Sequence, residues 1–142
     1  MSYRPTRIIL HCSATKDSGT VSWQAIRRFH MANGWNGVGY HAGIELVNDQ
    51  YEVMIGRLWD RPGAHTSGEN HDSLGVCFVG DFEADPPPLA QWQVGVQFIR
   101  SLCWVFGIGH DRVFGHREFT DRKTCPGTRF DLDLFRQQLH PY

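Results

Sequence analysis

The stretch Gly115-His116-Arg117-Glu118-Phe119-Thr120-Asp121-Arg122-Lys123-Thr124-Cys125-Pro126-Gly127 places an imidazole and a thiol in one polar loop near the C-terminus. Pro126 and Gly127 favour a turn directly after the thiol. Zinc binds histidine nitrogen and cysteine sulfur readily, and a catalytic zinc takes three protein ligands and keeps a fourth position for water. His116 and Cys125 are therefore two ligands of a candidate zinc site, and a third has to come from elsewhere.

The third ligand is expected to be His11, at the other end of the chain. This histidine closes the apolar run Ile8-Ile9-Leu10, which predicts a strand from Arg7 to His11. Because the run is apolar without alternation, we expect a central strand covered on both faces. A histidine that ends such a strand lies on a rigid element that a distant loop can meet. Taken singly, a histidine is more often an ordinary polar residue and a cysteine a small buried hydrophobe.

The segments between these two ends alternate between strand and helix patterns. A helix is predicted from Ser22 to about Asn33, after a polar loop over 16–20. Its inward face is formed by Ile26 and Phe29 with Trp23 or His30 beside them, so His30 is expected to be a packing residue. A second helix cannot begin before the last proline of 86–88. Its apolar stripe, and that of a last helix capped by Asp131, recurs at helical spacing. The members of the longer stripe are Trp92, Val96, Ile99, Cys103 and Phe106.

Strands are predicted over 40–47, 51–56, 74–79 and 113–114, the first two as a hairpin. Strands interleaved with helices indicate an α/β protein, with a central mixed sheet flanked by about three helices. At 142 residues the chain is of a size for one compact domain, so a single domain is expected over 1–142.

Composition excludes several classes of protein. Lys and Arg number 14 against 15 Asp and Glu, a formal charge of −1, and no dense basic run indicates a nucleic-acid surface. No stretch has the apolar length of a membrane span or of a signal peptide, so neither a membrane partner nor an export signal is expected. The four cysteines show no disulfide framework and are expected to be reduced, with Cys77 and Cys103 in packing roles.

Four separated motifs run through the chain, and they are Ile9-Leu10-His11-Cys12-Ser13-Ala14-Thr15, Gly34-Trp35-Asn36-Gly37-Val38-Gly39-Tyr40-His41, Ser73-Leu74-Gly75-Val76-Cys77-Phe78-Val79-Gly80, and Gly115-His116-Arg117 with Lys123-Thr124-Cys125-Pro126. They occur in the order found in the zinc N-acetylmuramoyl-L-alanine amidases, a family that includes phage lysozyme-type amidases and animal peptidoglycan-recognition proteins. The chain resembles this family from about Arg7 to about Leu139. The resemblance implies the family's fold, one zinc ion, and hydrolysis of the amide bond between N-acetylmuramic acid and L-alanine in peptidoglycan.

The resemblance also implies roles for residues outside the metal set. Tyr40 and Lys123 match positions that the family needs for hydrolysis without binding the metal, and a lysine there can supply positive charge to a developing oxyanion. The long segment from Arg57 to Asp72 carries two histidines that could compete as zinc ligands, but a loop so rich in glycine is expected to position a ligand poorly. The resemblance implies instead that His65 and Thr66 of this segment line the substrate groove. Without the resemblance, Tyr40 would be read as a core aromatic and Lys123 as a solvated lysine.

Other functions fit parts of the pattern. Some relatives bind peptidoglycan without cutting it, but they lack the metal thiol that Cys125 supplies here. A metal-independent hydrolase could use Cys125 or Cys12 as nucleophile with a histidine base. A purely structural zinc would want a fourth protein ligand, for which Cys12 is the candidate. A zinc deaminase is disfavoured because no second cysteine follows Cys125-Pro126 at the required spacing.

Wall-degrading activity without an export signal predicts a phage endolysin, made in the host bacterial cytoplasm and acting on the cell wall after release. Peptidoglycan is the expected partner, a monomer the expected state, and no separate cell-wall-binding domain is expected. Some phage relatives also bind their phage's RNA polymerase, a role that the short segment before the first strand does not support.

Overall fold

A five-stranded mixed sheet lies at the centre of the computed structural model, which describes residues 3–15 and 22–140. The strands are β1 (Arg7–Cys12), β2 (Ala42–Val47), β3 (Gln50–Ile55), β4 (Ser73–Phe78) and β5 (Val113–Gly115). The α-helices are α1 (Trp23–Ala32), α2 (Leu89–Phe106) and α3 (Leu132–Gln138). The predicted fold class is confirmed, and the polar loop predicted over 16–20 lies outside the described residues.

The strand order is β3-β2-β4-β1-β5, with β2, β4, β1 and β5 parallel to their neighbours and β3 antiparallel to β2. The prediction that β1 is an interior strand is confirmed, since it pairs with β4 on one side and β5 on the other. Leu10 lies opposite Gly115 in this pairing. His11 follows Leu10 and His116 follows Gly115, so the two histidines lie next to each other at the same end of the sheet.

One face of the sheet carries the large hydrophobic core, formed with α2 and α3. Phe78 of β4 packs there against Phe130 and Phe135, with ring centroids 5.1 and 5.9 Å apart. The predicted stripe of α2 is confirmed as the helix's inward face. Gly95 belongs to this face because a Cβ there would lie 2.5 Å from the Phe78 ring. A glycine inside a helix is about 1 kcal/mol less favourable than alanine, but here it allows the Phe78 ring to pack closely against the helix.

The opposite face is covered by α1, which is only ten residues long. The predicted cap is confirmed: the Ser22 side chain accepts a hydrogen bond from the Ala25 N–H at 3.2 Å. Trp23 and His30 are buried, but Phe29 is 66% exposed, so its predicted inward position is wrong. Each helical residue advances about 100°, and the face set by Trp23 and His30 leaves Phe29 turned toward solvent.

The predictions for the cysteines and for the cap of the last helix are confirmed. The four cysteines are free, with Cys77 and Cys103 buried in packing positions. Asp131 caps α3 by accepting from the Leu134 N–H at 2.9 Å. Within residues 3–15 and 22–140, no helix has the length and apolarity required to cross a membrane.

Candidate active site

Three side chains from distant parts of the chain converge at the end of the parallel strands. His11 ends β1, His116 follows β5, and Cys125 lies in the loop after it; their ligand atoms all lie within 4.8 Å of one another. The His11 Nδ1 atom is 3.8 Å from the Cys125 sulfur, and the two imidazole rings are 4.7 Å apart. The structure thus brings the three predicted ligands together, and they form the one group of this kind within residues 3–15 and 22–140.

The loop that carries the thiol is fixed on both sides of it. The Arg117 N–H donates to the Cys125 carbonyl at 2.7 Å. The Glu83 carboxylate accepts hydrogen bonds from the hydroxyls of Thr124 and Thr128, the second at 2.8 Å. Sequence reasoning assigned no role to Glu83, because nothing in its acidic, proline-rich surroundings indicates which loop it will meet.

Both histidines of the group are held neutral. Burial, and then the nearby charges of His65, His116 and Lys123, lower the pKa of His11 well below its ordinary value. Burial and the Lys123 charge lower the pKa of His116. A neutral imidazole offers a lone pair to a metal ion, so these shifts prepare both rings as ligands.

The thiol is also surrounded by hydrogen-bonding groups. The Cys12 side chain, followed by burial, raises the pKa of the Cys125 thiol, so metal-free Cys125 is neutral and a weak nucleophile. The Cys12 backbone N–H points at the sulfur at 3.1 Å and is suited to a thiolate. Cys12 itself does not belong to the group of three; its partly buried side chain packs against the large core and also lines the groove.

A groove of about 950 Å³ opens over the three ligands. Tyr40 and Lys123 both line it, as do His30 and Trp35 from α1 and the loop after it. The Tyr40 ring is 5.1 Å from that of His11, and burial raises the pKa of Tyr40 well above its ordinary value. Its phenol therefore remains a hydrogen-bond donor. Lys123 is exposed at the rim of the groove.

His30 is a groove residue that the sequence suggested only as a packing residue. Its Nδ1 accepts a hydrogen bond from the Gly39 N–H at 2.9 Å, and its ring lies 4.6 Å from Trp35. The expected burial is confirmed, since 8% of His30 is exposed. The helical pattern predicted the burial, whereas its place beside the groove depends on the course of the 34–39 loop.

His65 and Thr66 lie behind His11 and are 8% and 2% exposed. Both residues were predicted to line the groove; His65 does, whereas Thr66 does not. Both residues contact the metal-site histidine: His11 Nε2 lies 2.9 Å from His65 Nδ1 and 3.3 Å from Thr66 Oγ1. The glycine-rich sequence suggested a loop that positions side chains poorly. That expectation is wrong, because the Asn70 side chain accepts from the N–H groups of both residues at 3.0 Å.

Comparison with known proteins identifies this arrangement. The family model described as N-acetylmuramoyl-L-alanine amidase matches residues 1–128. The chain belongs to the N-acetylmuramoyl-L-alanine amidase family. The endolysin of Klebsiella phage KP32 is 39% identical over 130 residues, covering 89% of this chain and 82% of that protein. The endolysin of Escherichia phage T7 is 42% identical over 133 residues, covering 88% and 81%.

Solved structures agree with the family fold. The amidase LysC from Clostridium intestinale URNW matches with a TM-score of 0.85 at 23% identity, over 96% of this chain and 86% of that one. Drosophila PGRP-LB matches with a TM-score of 0.78 at 24% identity, over 93% and 80%. The family suggested by the four sequence motifs is therefore confirmed, as is its fold.

Proposed function

We propose that this amidase is a zinc-dependent phage endolysin, which hydrolyses the amide bond between N-acetylmuramic acid and L-alanine in peptidoglycan. Membership of the amidase family and the likeness to two phage endolysins support the reaction and its place in host lysis. The observation that carries the metal dependence is the convergence of His11, His116 and Cys125 under an open groove.

The donor set fits zinc. Two neutral imidazoles and one thiol are ligands that zinc prefers, and three protein ligands with an open position are typical of a catalytic site. No fourth protein ligand joins the group within the described part of the chain, which disfavours a closed structural site. His11, His116 and Cys125 would hold one zinc ion, which would supply Lewis-acid chemistry there: a lowered pKa, toward about 7, for a water molecule, and polarisation of a substrate carbonyl.

The chain's own residues supply the remaining chemistry. The Lys123 ammonium, at the rim of the groove, places positive charge where the oxyanion of the cleaved amide develops. The protonated Tyr40 phenol, beside His11, donates a hydrogen bond to the reacting amide. The groove walls orient the substrate and exclude bulk water.

Two other readings are weaker. A recognition module without catalysis would not need the thiol, and here Cys125 is held within 3.8 Å of His11. A thiol hydrolase needs a thiolate, and the hydrogen bond with Cys12 and burial raise the pKa of Cys125. The same hydrogen bond lowers the pKa of Cys12, the other candidate nucleophile, and restoring zinc to metal-stripped protein separates that mechanism from the metal-dependent one. We take residues 1–142 as one catalytic domain that acts as a monomer, with peptidoglycan as its partner and neither nucleic acid nor membrane. It would be made in the host cytoplasm and reach the wall after release.

The test is a peptidoglycan digest with metal-stripped protein, before and after zinc is restored. The products are analysed by mass spectrometry for free lactyl ends of muramic acid and new alanine amino termini. Zinc should restore both products. Cleavage of glycan or cross-link bonds instead would overturn the proposed substrate bond, and full activity in the presence of chelator would support the thiol mechanism.

Variants separate metal binding from chemistry. Cys125→Ser should lose both bound zinc and activity, while Tyr40→Phe and Lys123→Ala should keep stoichiometric zinc and lose about 100-fold or more in turnover, the usual effect of removing an acid or an oxyanion donor. Cys103→Ala is the matched control, since this thiol is buried in the large core. Zinc content and turnover of Cys103→Ala should both match wild type.

A further inference from the structure

A hydrogen-bonded chain of buried polar groups, formed by His65, Thr66 and Ser73, contacts the metal-site histidine His11. We propose that His65, assisted by Thr66, is a positioning residue that holds His11 with its Nδ1 directed at the metal. This inference rests on the proposed zinc site and goes beyond it, because it assigns the buried histidine to the metal ligand rather than to the substrate.

The orientation of the His11 ring is the first step. Its Nδ1 faces the thiol of Cys125 at 3.8 Å, whereas its Nε2 faces away, toward His65 Nδ1 at 2.9 Å. The two nitrogens of one ring thus serve two different neighbours. A ring flip would remove both contacts at once, since the ligand nitrogen would then point at another imidazole.

The direction of the hydrogen bonds follows from the ligand atom. A neutral imidazole that binds metal through Nδ1 carries its hydrogen on Nε2, so His11 donates toward His65 Nδ1 and Thr66 Oγ1. His65 then accepts at Nδ1 and carries its own hydrogen on Nε2, which faces Ser73 Oγ at 3.3 Å. The Ser73 hydroxyl donates to the Glu69 carbonyl at 2.7 Å. The chain ends on a backbone acceptor and is satisfied without any charged group.

The backbone around His65 leaves room for an imidazole and little else. A Cβ on Gly63 or on Gly75 would lie 2.5 Å from the His65 ring. Gly75 is part of the interior strand β4, where it lies opposite Ile9 of β1. Together with the two N–H groups bound to Asn70, these glycines fix the ring against the sheet beside His11.

A metal-bound histidine is commonly oriented by a group that accepts from its second nitrogen, and loss of that group typically weakens metal binding about 10–100-fold. We therefore expect His65→Leu, which removes the acceptor but keeps an apolar side chain of moderate size, to weaken zinc by that factor. His65→Asn keeps a polar atom near the position of Nδ1 and should recover most of the affinity. Thr66→Val, which is nearly isosteric, should have a smaller effect of the same sign.

The experiment measures zinc affinity by competition with a chromophoric chelator, together with the absorption spectrum of the Co²⁺-substituted protein and the unfolding of the metal-free protein. His65→Leu should bind zinc more weakly and shift the cobalt spectrum, because the geometry of the His11 ligand changes. His41→Asn is the control: this histidine is also buried but bonds to the backbone of Gly75 and Arg61 instead of to His11. It should alter stability and leave zinc affinity near the wild-type value.

Unchanged zinc affinity in His65→Leu overturns the inference, and a fall in activity at unchanged affinity would make His65 a substrate contact. Should His65→Leu fail to fold, a zinc affinity of Thr66→Val equal to that of wild type would have the same consequence. Failure of the proposed function looks different, because wild-type protein itself would then bind no zinc through Cys125 or would cut peptidoglycan without it.

Discussion

The two faces of the sheet are built on different principles. The face under α2 and α3 is closed by aliphatic and aromatic side chains, and its buried polar residue Gln91 donates to two backbone carbonyls. The face under α1 buries four imidazoles, those of His11, His30, His41 and His65. Its apolar cluster is limited to a few residues around Trp23.

This difference separates stability from function. Apolar burial is non-directional and contributes free energy in proportion to the area buried. The α2 face can therefore be long and continuous, and its side chains do not need exact orientations. Buried imidazoles require a partner for each nitrogen, so the α1 face is specified by hydrogen bonds. The groove over His11 lies beside α1, and four residues of this helix help to line it.

The largest expected effect concerns the apolar face. Phe78→Ala removes a fully buried ring that packs against Phe130 and Phe135, and it should reduce the free energy of unfolding by about 3–5 kcal/mol. Zinc affinity of the molecules that remain folded should not change. Chemical denaturation of metal-free protein measures the first quantity, and chelator competition the second.

The control is Trp104→Ala on the same helix, where the side chain is 88% exposed and the change should stay within about 0.5 kcal/mol. A parallel loss of zinc affinity in Phe78→Ala would show that the two faces are not independent.

An intermediate loss of stability is expected at acidic pH, and it arises from the buried histidines of the face under α1. Burial lowers the pKa of His65 from 6.5 to about 3, and burial also lowers the pKa of His11 and His41. The unfolded chain therefore takes up protons first as pH falls, so stability present above about pH 6.5 is lost below it. Below about pH 6.5, each such histidine lowers the free energy of unfolding by about 1.4 kcal/mol per pH unit. For His65 the loss at pH 5 is about 2 kcal/mol.

Unfolding of metal-free protein at pH 7 and pH 5 measures this loss, and His65→Asn supplies the comparison. The variant should lose less stability between the two pH values, since one titrating group is gone. An identical pH dependence in both proteins would mean that His65 does not remain neutral in the folded state.

The smallest effect concerns the cap of the short helix. Ser22→Ala removes the hydrogen bond to the Ala25 N–H and should cost about 1 kcal/mol. Hydrogen exchange should show faster opening of α1 than of α2, because α1 has few apolar contacts to hold it. Asp131→Ala removes the equivalent cap of α3 and is the matched control; it should cost a similar amount without affecting α1. Equal loss of protection in all three helices would contradict independent behaviour of the faces.

Sequence patterns predicted the apolar face well. The α2 stripe, the interior position of β1 and the caps at Ser22 and Asp131 follow from periodicity and local hydrogen bonding, which depend on neighbours in sequence. Phe29 was placed wrongly because an apolar residue near the edge of a helical stripe can face either way. Which way it faces is decided by how α1 lies on the sheet.

The histidine face was only partly predictable. Chemistry and the family motifs indicated His11, His116 and Cys125, which the fold brings within 4.8 Å of one another. The contacts of His65 with His11, and of Glu83 with the hydroxyls of Thr124 and Thr128, had no sequence signal. Both depend on the course of loops without periodicity, and their partners are 41 or more residues away in sequence.

By itself, the sequence determined the elements, the apolar side of most of them and the residue types able to bind zinc, because these depend on local spacing and side-chain chemistry. Only the tertiary structure decided which nitrogen of His11 faces the thiol and which faces His65. That choice is set by the parallel pairing of β1 with β4 and β5 and by two glycines that make room for a buried ring. Hydrogen bonds form only within a narrow range of angles and within a few tenths of an ångström in distance, and no pattern along a chain specifies positions at that scale.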